Sequence, residues 1–276
     1  MKKKLAIKIS LGELSTLSSP RKLLQAIQKQ KPFLQNNVFC LNTIQENKKN
    51  IFLIHPVGGT IFCYRELASK LSANVYGIQD PNIDHPHINF SSLDEMAEFY
   101  LNQIIEIQGD GPYYVGGLSF GGVAAYEIAL KLKRRAPTTN AHVLLIESWA
   151  ELPSKVADKS SFERIFYNQY ARLASGKGEV RLEAQAWLSL QWSRIILLKN
   201  HVPSHSQADV TLIKATTPDL EIFETKAAYN QWDKYISGKI TKYGILASHE
   251  TILNSNNIND VVEIIENYLL THVTRK

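Results

Sequence analysis

The sequence is poor in cysteine. Its 276 residues hold two, Cys40 and Cys63, and no Cys-x-x-Cys pair. Two thiols make no disulfide framework, and the missing pair removes the usual sign of a zinc site. A reducing, cytoplasmic setting is therefore expected. Long apolar runs are missing too. Val143-Leu-Leu-Ile146 and Ile195-Ile-Leu-Leu198 are typical of what is present. Both fall far short of the roughly 18–20 residues that span a bilayer, so no membrane span is expected. The lysines after Met1 lead into a stretch broken by Lys8 and Glu13, which leaves no continuous apolar segment for a secretion signal. Glycine (14) and proline (10) are too few for a collagen-like or low-complexity chain.

What remains is an ordinary globular composition, 44% hydrophobic and 21% charged. The length suits one large α/β domain or two small ones, and a chain this long buries its core without metal or disulfide. The net charge of +5 is unevenly spread. Residues 1–50 carry ten Lys/Arg against Glu13 and Glu46, while the other 226 carry 21 basic and 24 acidic side chains. The basic excess belongs to the first segment, read as a leader or linker, either solvated or docking an acidic partner. No basic stripe with interleaved aromatics follows, so nucleic acid is not expected. Within the segment, Ser19-Pro-Arg-Lys-Leu-Leu-Gln-Ala-Ile-Gln-Lys29 has the N-cap serine and first-turn proline of a short helix.

From Ile51 the texture changes, and a domain over 51–276 is expected. Ile51-Phe-Leu-Ile-His55 is a short apolar run of the kind buried on both faces of a parallel sheet. Helical and strand patterns then alternate: a helix near 62–71, a strand at 74–78, a helix at 93–107, a strand from Tyr113, a helix at 121–133 and a strand at 142–146. That order predicts an α/β fold with a mostly parallel central sheet and helices on both faces. Residues 151–206 break the rhythm with two helices, near 162–174 and 182–200, and no strand between them. They read as a helical lid insertion. Strands at Val210 and Ile240 and a closing helix near 259–270 resume the alternation.

The sharpest chemical signal is Gly117-Leu-Ser119-Phe-Gly121. It follows a predicted strand and opens a predicted helix, the context in which Gly-x-Ser-x-Gly makes a nucleophile elbow. Small flanking residues let a strained turn hold the serine hydroxyl out at a helix N-terminus, which favours developing negative charge. No lysine follows as in a phosphate-binding loop, and the spacing is not Gly-x-Gly-x-x-Gly. A serine nucleophile needs a base, and chains of this architecture supply the partners in the order Ser, acid, His. His249 comes just after the Ile240 strand in a polar loop, at the carboxyl edge of the sheet. His201 and His205 fall in the lid, and His272 near the end of the last helix. Two acids suit the order: Glu147, directly after the strand at 142–146, and Asp219, after the next strand. The loop His55-Pro-Val-Gly-Gly59 would bring the N–H of Val57 or Gly58 to an oxyanion hole, with the N–H of Phe120 as second donor. His55 precedes any such acid and is read as shaping that loop.

Together, His55–Gly59, Val75-Tyr-Gly-Ile-Gln79, Gly111-Pro-Tyr-Tyr-Val-Gly-Gly-Leu-Ser-Phe-Gly-Gly122, Ala125-Tyr-Glu127 and Trp232-Asp-Lys-Tyr235 resemble the thioesterase domains of polyketide, nonribosomal peptide and fatty acid synthases. The resemblance covers about 51–270 and fades in the lid. It implies an α/β-hydrolase fold and a serine thioesterase with Ser119, His249 and Glu147 as triad. The substrate would be an acyl or peptidyl thioester on the phosphopantetheine arm of an acyl or peptidyl carrier protein, with no bound cofactor and no metal. Release would be by hydrolysis or macrocyclisation, with Trp187 and Trp192 lining the acyl channel or packing as plain core. Three features depart from the family pattern. The acid there is usually aspartate, discrete editing thioesterases place it one strand later (Asp219 here), and Ala247 stands where glycine is common. An editing thioesterase and a general carboxylesterase are the alternative readings.

Overall fold

The computed structural model describes Ser19 and residues 37–84, 88–173, 180–217 and 227–271. The predicted helix after Ser19, Asp219 and His272 lie outside the described residues. Strands β1 (Val38–Cys40), β2 (Asn50–Ile54), β3 (Asn74–Ile78), β4 (Tyr113–Leu118), β5 (Ala141–Ile146), β6 (Val210–Ala215) and β7 (Ile240–Ile245) form one sheet in the order β1-β3-β2-β4-β5-β6-β7. Only the β1–β3 pair is antiparallel among these; the other five pairings are parallel.

Among the described residues the α-helices are α1 (Arg65–Lys70), α2 (Leu93–Ile107), α3 (Phe120–Arg135), α4 (Ser154–Ala157), α5 (Lys159–Leu173), α6 (Val180–Lys199) and α7 (Ile258–Thr271). Period-two side-chain alternation divides the strand residues between two cores. Phe52, Ile54, Val115, Val143, Leu145 and Leu212 pack with α2 and α3 on one face. Ile51, Leu53, Val75, Tyr114, Leu144, Ile146 and Ile213 pack with α1 and α7 on the other. The central strands β2, β4 and β5 are largely apolar on both sides because both sides are covered, which is why the sequence there shows continuous runs rather than alternation, whereas the edge strand β7 carries Thr241 and Lys242 and exposes its middle residues. Helix α2 begins where the side chain of Ser92 accepts the N–H of Glu95 at 3.1 Å. Asp94 and Glu95 stand in its first turn, where the helix dipole favours acids.

The sheet takes in residues before the expected start at Ile51. Strand β1 pairs Val38 with Ile78 and Cys40 with Tyr76, inside the stretch read as leader or linker. Asn42 fastens this approach. Its amide donates to the carbonyls of Ala68 (3.1 Å) and Ala73 (2.8 Å), and its Oδ1 accepts the N–H of Val75 (3.0 Å). Val38-Phe-Cys40 is apolar but only three residues long, too short for periodicity to mark it as a strand.

Helices α4, α5 and α6 fall in the segment expected to be a lid. They share a small core of Phe162, Phe166, Ala184, Leu188 and Ile195. Among the described residues no helix is long and apolar enough to cross a membrane.

Candidate active site

In a parallel sheet every strand ends at the same edge, and the turn of order between β3-β2 and β4 opens a crevice there. The loop after β2 and the turn after β4 meet in it. Tyr64, fully buried, bridges them: its hydroxyl donates to the Ile54 carbonyl and accepts the N–H of Leu118, both at 2.7 Å.

Ser119 is the N-cap of α3 with φ 56° and ψ −119°, a left-handed backbone that a non-glycine residue adopts only under local strain. The turn is fastened on both sides: Ser119 N–H donates to Ile146 O at 2.9 Å, and Gly122 N–H to Ser119 O at 3.1 Å. The flanking glycines are required by close approach. A Cβ at Gly121 would lie 2.2 Å from the Ile54 carbonyl oxygen, and one at Gly117 would lie 2.5 Å from the backbone of Gly121. Phe120 opens α3, so its N–H is among the four with no intrahelical acceptor.

Glu147 directly follows β5, also with positive φ (40°), and is 3% exposed. Its N–H donates to Ile213 O at 2.7 Å. Its carboxylate accepts the Ala215 N–H at 2.6 Å and the Trp149 indole N–H at 3.2 Å. His249 Nδ1 lies 3.9 Å from Glu147 Oε1. Burial alone would raise the Glu147 carboxyl. His249, the Ala215 N–H and the nearby Lys214 charge outweigh it and hold the group below its ordinary value. Lys214 in turn lies over the Trp149 ring at 4.9 Å, and burial lowers its ammonium.

Ser119 and His249 line one cavity of about 190 Å³, with Val57 and Phe120 beside them. The structure thus brings Ser119, Phe120, Val57 and His249 together, with Glu147 behind His249. His55 is elsewhere in role: it is fully buried, 2.7 Å from the Tyr100 hydroxyl, and stacked on Phe120 at 5.4 Å between centroids. Burial, more than its neighbours, sets its pKa, which is lowered.

Of the two readings of the tryptophans, channel lining and plain packing, the structure follows packing. Neither Trp187 nor Trp192 is among the described cavity residues; Trp149 is. Trp192 packs on Phe162 at 5.5 Å in the lid core. Trp187 donates its indole N–H to Gly58 O at 2.9 Å, tying α6 to the loop after β2. Their helical spacing put both on inward faces, and those faces meet the lid core and the loop rather than the cavity.

Two polar pairs were not found by sequence reasoning. Arg194 on α6 donates twice to Asp80 after β3, through Nη2 at 2.7 Å and through Nε, with both side chains almost wholly buried. His201 Nε2 lies 3.0 Å from Glu127 Oε1, and His201 lines the cavity. Each pair joins residues 74 or more positions apart, and no local pattern marks such a partnership.

The fold and the serine elbow define an α/β-hydrolase domain. A family model described as "Thioesterase domain" matches residues 49–269, and the chain belongs to that family. It is 25% identical over 245 residues to enterobactin synthase component F of Escherichia coli K12, covering 84% of this chain and 19% of that protein. It is 22% identical over 249 residues to a probable non-canonical nonribosomal peptide synthetase, CymA, of Salinispora arenicola, covering 79% of this chain and 3% of that protein. The chain therefore spans a small fraction of these relatives. Among solved structures, the four-domain nonribosomal peptide synthetase holo-AB3403 superposes with a TM-score of 0.71 at 24% identity, over 90% of this chain and 21% of that one. The NocB thioesterase domain, in covalent complex with a fluorophosphonate nocardicin G analogue, superposes with a TM-score of 0.67 at 21% identity, over 80% and 94%.

Proposed function

We propose that this chain is a serine thioesterase that releases an acyl, polyketide or peptidyl chain from the phosphopantetheine arm of a carrier protein. The observation that carries the reading is the strained Ser119 elbow at the head of α3, sharing one cavity with His249, behind which Glu147 stands 3.9 Å from Nδ1. Membership of the thioesterase family and the likeness to synthetase domains support it.

His249 takes the Ser119 proton, and Oγ attacks the thioester carbonyl. Glu147 holds the imidazole in orientation and stabilises its charged form. The developing oxyanion meets the Phe120 N–H at the helix head and the Val57 N–H of the stacked, His55-braced loop. His249 then protonates the departing pantetheine sulfur, and an acyl-Ser119 ester remains. Water yields a free acid, or an internal hydroxyl or amine of the chain yields a macrocycle, with His249 again accepting the proton. Glu147 is preferred to Asp219 as the acid because its carboxylate is already clamped beside His249.

Intact-protein mass spectrometry tests this. The chain is mixed with acyl thioesters and matched oxyesters, with Ser119→Ala as control. A thioester-selective adduct that is lost in the control is expected. Equal labelling by oxyesters would replace the reading with a general esterase, and no adduct from carrier-bound or small thioesters would overturn it.

A further inference from the structure

The cavity beside Ser119 is walled mainly by hydrocarbon, from Val57, Val123, Leu152, Ile165, Ile195 and Leu198. Gln191 and His201 interrupt that wall, and among the described residues His201 alone of the two is paired with a buried carboxylate. It sits just past the end of α6, with its Nε2 3.0 Å from Oε1 of Glu127, a carboxylate 2% exposed. A pocket built for hydrocarbon alone gains nothing from a buried carboxylate, whose desolvation is costly. Glu127 Oε1 also accepts the Ser204 N–H at 3.5 Å, so the carboxylate pins the turn after α6 and with it the His201 ring that faces the cavity. Glu127 fixes the imidazole: the carboxylate accepts from Nε2–H, and in the neutral ring that tautomer makes Nδ1 a hydrogen-bond acceptor. The His201 side chain keeps 14% exposure while lining the cavity.

The distance from the nucleophile follows from α3 itself. Glu127 is eight residues beyond Ser119 on that helix, which at 1.5 Å per residue is about 12 Å. Val123 lines the cavity midway between them.

We propose that His201, positioned by Glu127, sets acyl-chain specificity by accepting a hydrogen bond from a hydroxyl or amide N–H about 12 Å along the chain from the reacting carbonyl. The preferred substrate is a hydroxylated acyl or a peptidyl chain, not a plain saturated one. An extended chain covers that distance in three or four residues at about 3.3–3.6 Å each. Discrimination comes from both sides, because a chain without the donor leaves the histidine acceptor unpaired and dry. This inference rests on the thioesterase reading, and deepens it.

The test uses small-molecule thioesters of one length, about ten chain atoms. One is unsubstituted, some carry a hydroxyl at successive carbons, and some carry an amide. The readout is the rate of Ser119 acylation, expressed as a ratio of donor-bearing to unsubstituted chain within each protein. Ratios taken within one protein cancel any general loss of folding or activity. Wild type is expected to favour a donor at one position by several-fold to about tenfold, the net value of one neutral hydrogen bond. His201→Phe, which keeps the ring and loses the acceptor, is expected to bring the ratio to about one. His201→Gln, which retains an acceptor, should restore part of it, and Glu127→Gln should lower it. The hydroxyl and amide arms tell which donor is used. A wild-type ratio near one despite ready acylation, or an unchanged ratio in His201→Phe, would overturn the proposal. A chain that no thioester acylates would instead overturn the thioesterase reading beneath it.

Discussion

Arg194→Met removes the guanidinium that ties lid helix α6 to the end of β3. The two side chains are 4% and 0% exposed and share two hydrogen bonds. Methionine keeps much of the volume, so the substitution removes mainly charge and donors. Breaking a buried pair from one side costs about 3–5 kcal/mol, because the abandoned charge stays dry. For a chain of this size that corresponds to roughly 6–10 °C in Tm. The dependence on pH identifies the mechanism. In the native protein burial pushes the Asp80 carboxyl up, and Arg194, His55 and the Asn82 N–H outweigh burial and hold it below its ordinary value. Such a group contributes stability above its unfolded pKa and loses it as pH falls through the folded value. Without Arg194, burial wins and the folded pKa rises. The variant then folds with Asp80 protonated in mild acid, and its deficit relative to wild type shrinks as pH falls toward about 4.

Urea unfolding at pH 7 and in mild acid, for Arg194→Met, Asp80→Asn and the double variant, reads all three terms. The double variant should recover a large part of the Arg194→Met loss, since no unpaired charge remains. A deficit under about 1 kcal/mol at pH 7, or a double variant no better than Arg194→Met alone, would refute the account. Because Gln191, Ile195 and Leu198 of the same helix line the cavity, acylation of Ser119 should weaken along with stability.

Glu147→Gln keeps the shape and removes the charge behind His249; acylation of Ser119 should fall by about 10²–10⁴-fold, measured by stopped acylation and mass spectrometry. The lowered Glu147 carboxyl stabilises the fold above the ordinary glutamate value of about 4.3, and this is lost as pH falls through the folded value. The urea-measured gap between wild type and Glu147→Gln should therefore be full at pH 7 and close below about pH 4. Gly121→Ala places a Cβ 2.2 Å from the Ile54 carbonyl oxygen, so backbone must move; a loss of about 1–3 kcal/mol or more with loss of fluorophosphonate labelling at Ser119 is expected, and a variant with unchanged unfolding and labelling would refute the close-approach argument.

Much of this molecule is legible in its residues, and the reason differs by element. The strands at 51–54 and 143–146 can be read because burial on both faces demands unbroken apolar runs, and the one at 74–78 because a short, mostly apolar stretch follows a helix. Ser119 can be read because its strain imposes a glycine on each side. β1 is silent because its place is fixed by Asn42 and by backbone pairing, neither of which leaves a periodic trace. The tryptophans leave two readings open because helical spacing tells which residues face inward but not what they face. Arg194–Asp80 and His201–Glu127 are invisible for a further reason. Each joins a helix at the lid to the body across a long gap in sequence, and a charged residue in a helical pattern reads as solvated until its partner is known.

The two strained residues at the sheet edge have one cause. Ser119 and Glu147 end adjacent parallel strands, β4 and β5, and both have positive φ. Each must leave its strand sharply, Ser119 into α3 and Glu147 toward β6, so that Ser119 reaches the cavity and Glu147 stands behind His249, which lines it. Such conformations cost of order 1–3 kcal/mol each and persist only where the surroundings over-determine them. Here they do: Ser119 N–H is held by Ile146 O, and Glu147 N–H by Ile213 O, so each strained residue is pinned by the strand next to it. Those strands are in turn fixed by fully buried residues on both faces, Leu144, Leu145, Ile146, Leu212 and Ile213 among them. The rigidity of the parallel sheet is thus what permits the strain, and the strain is what aims the Ser119 and Glu147 side chains. Substitutions in the core under β5 and β6 should then disturb the site's geometry before they unfold the chain.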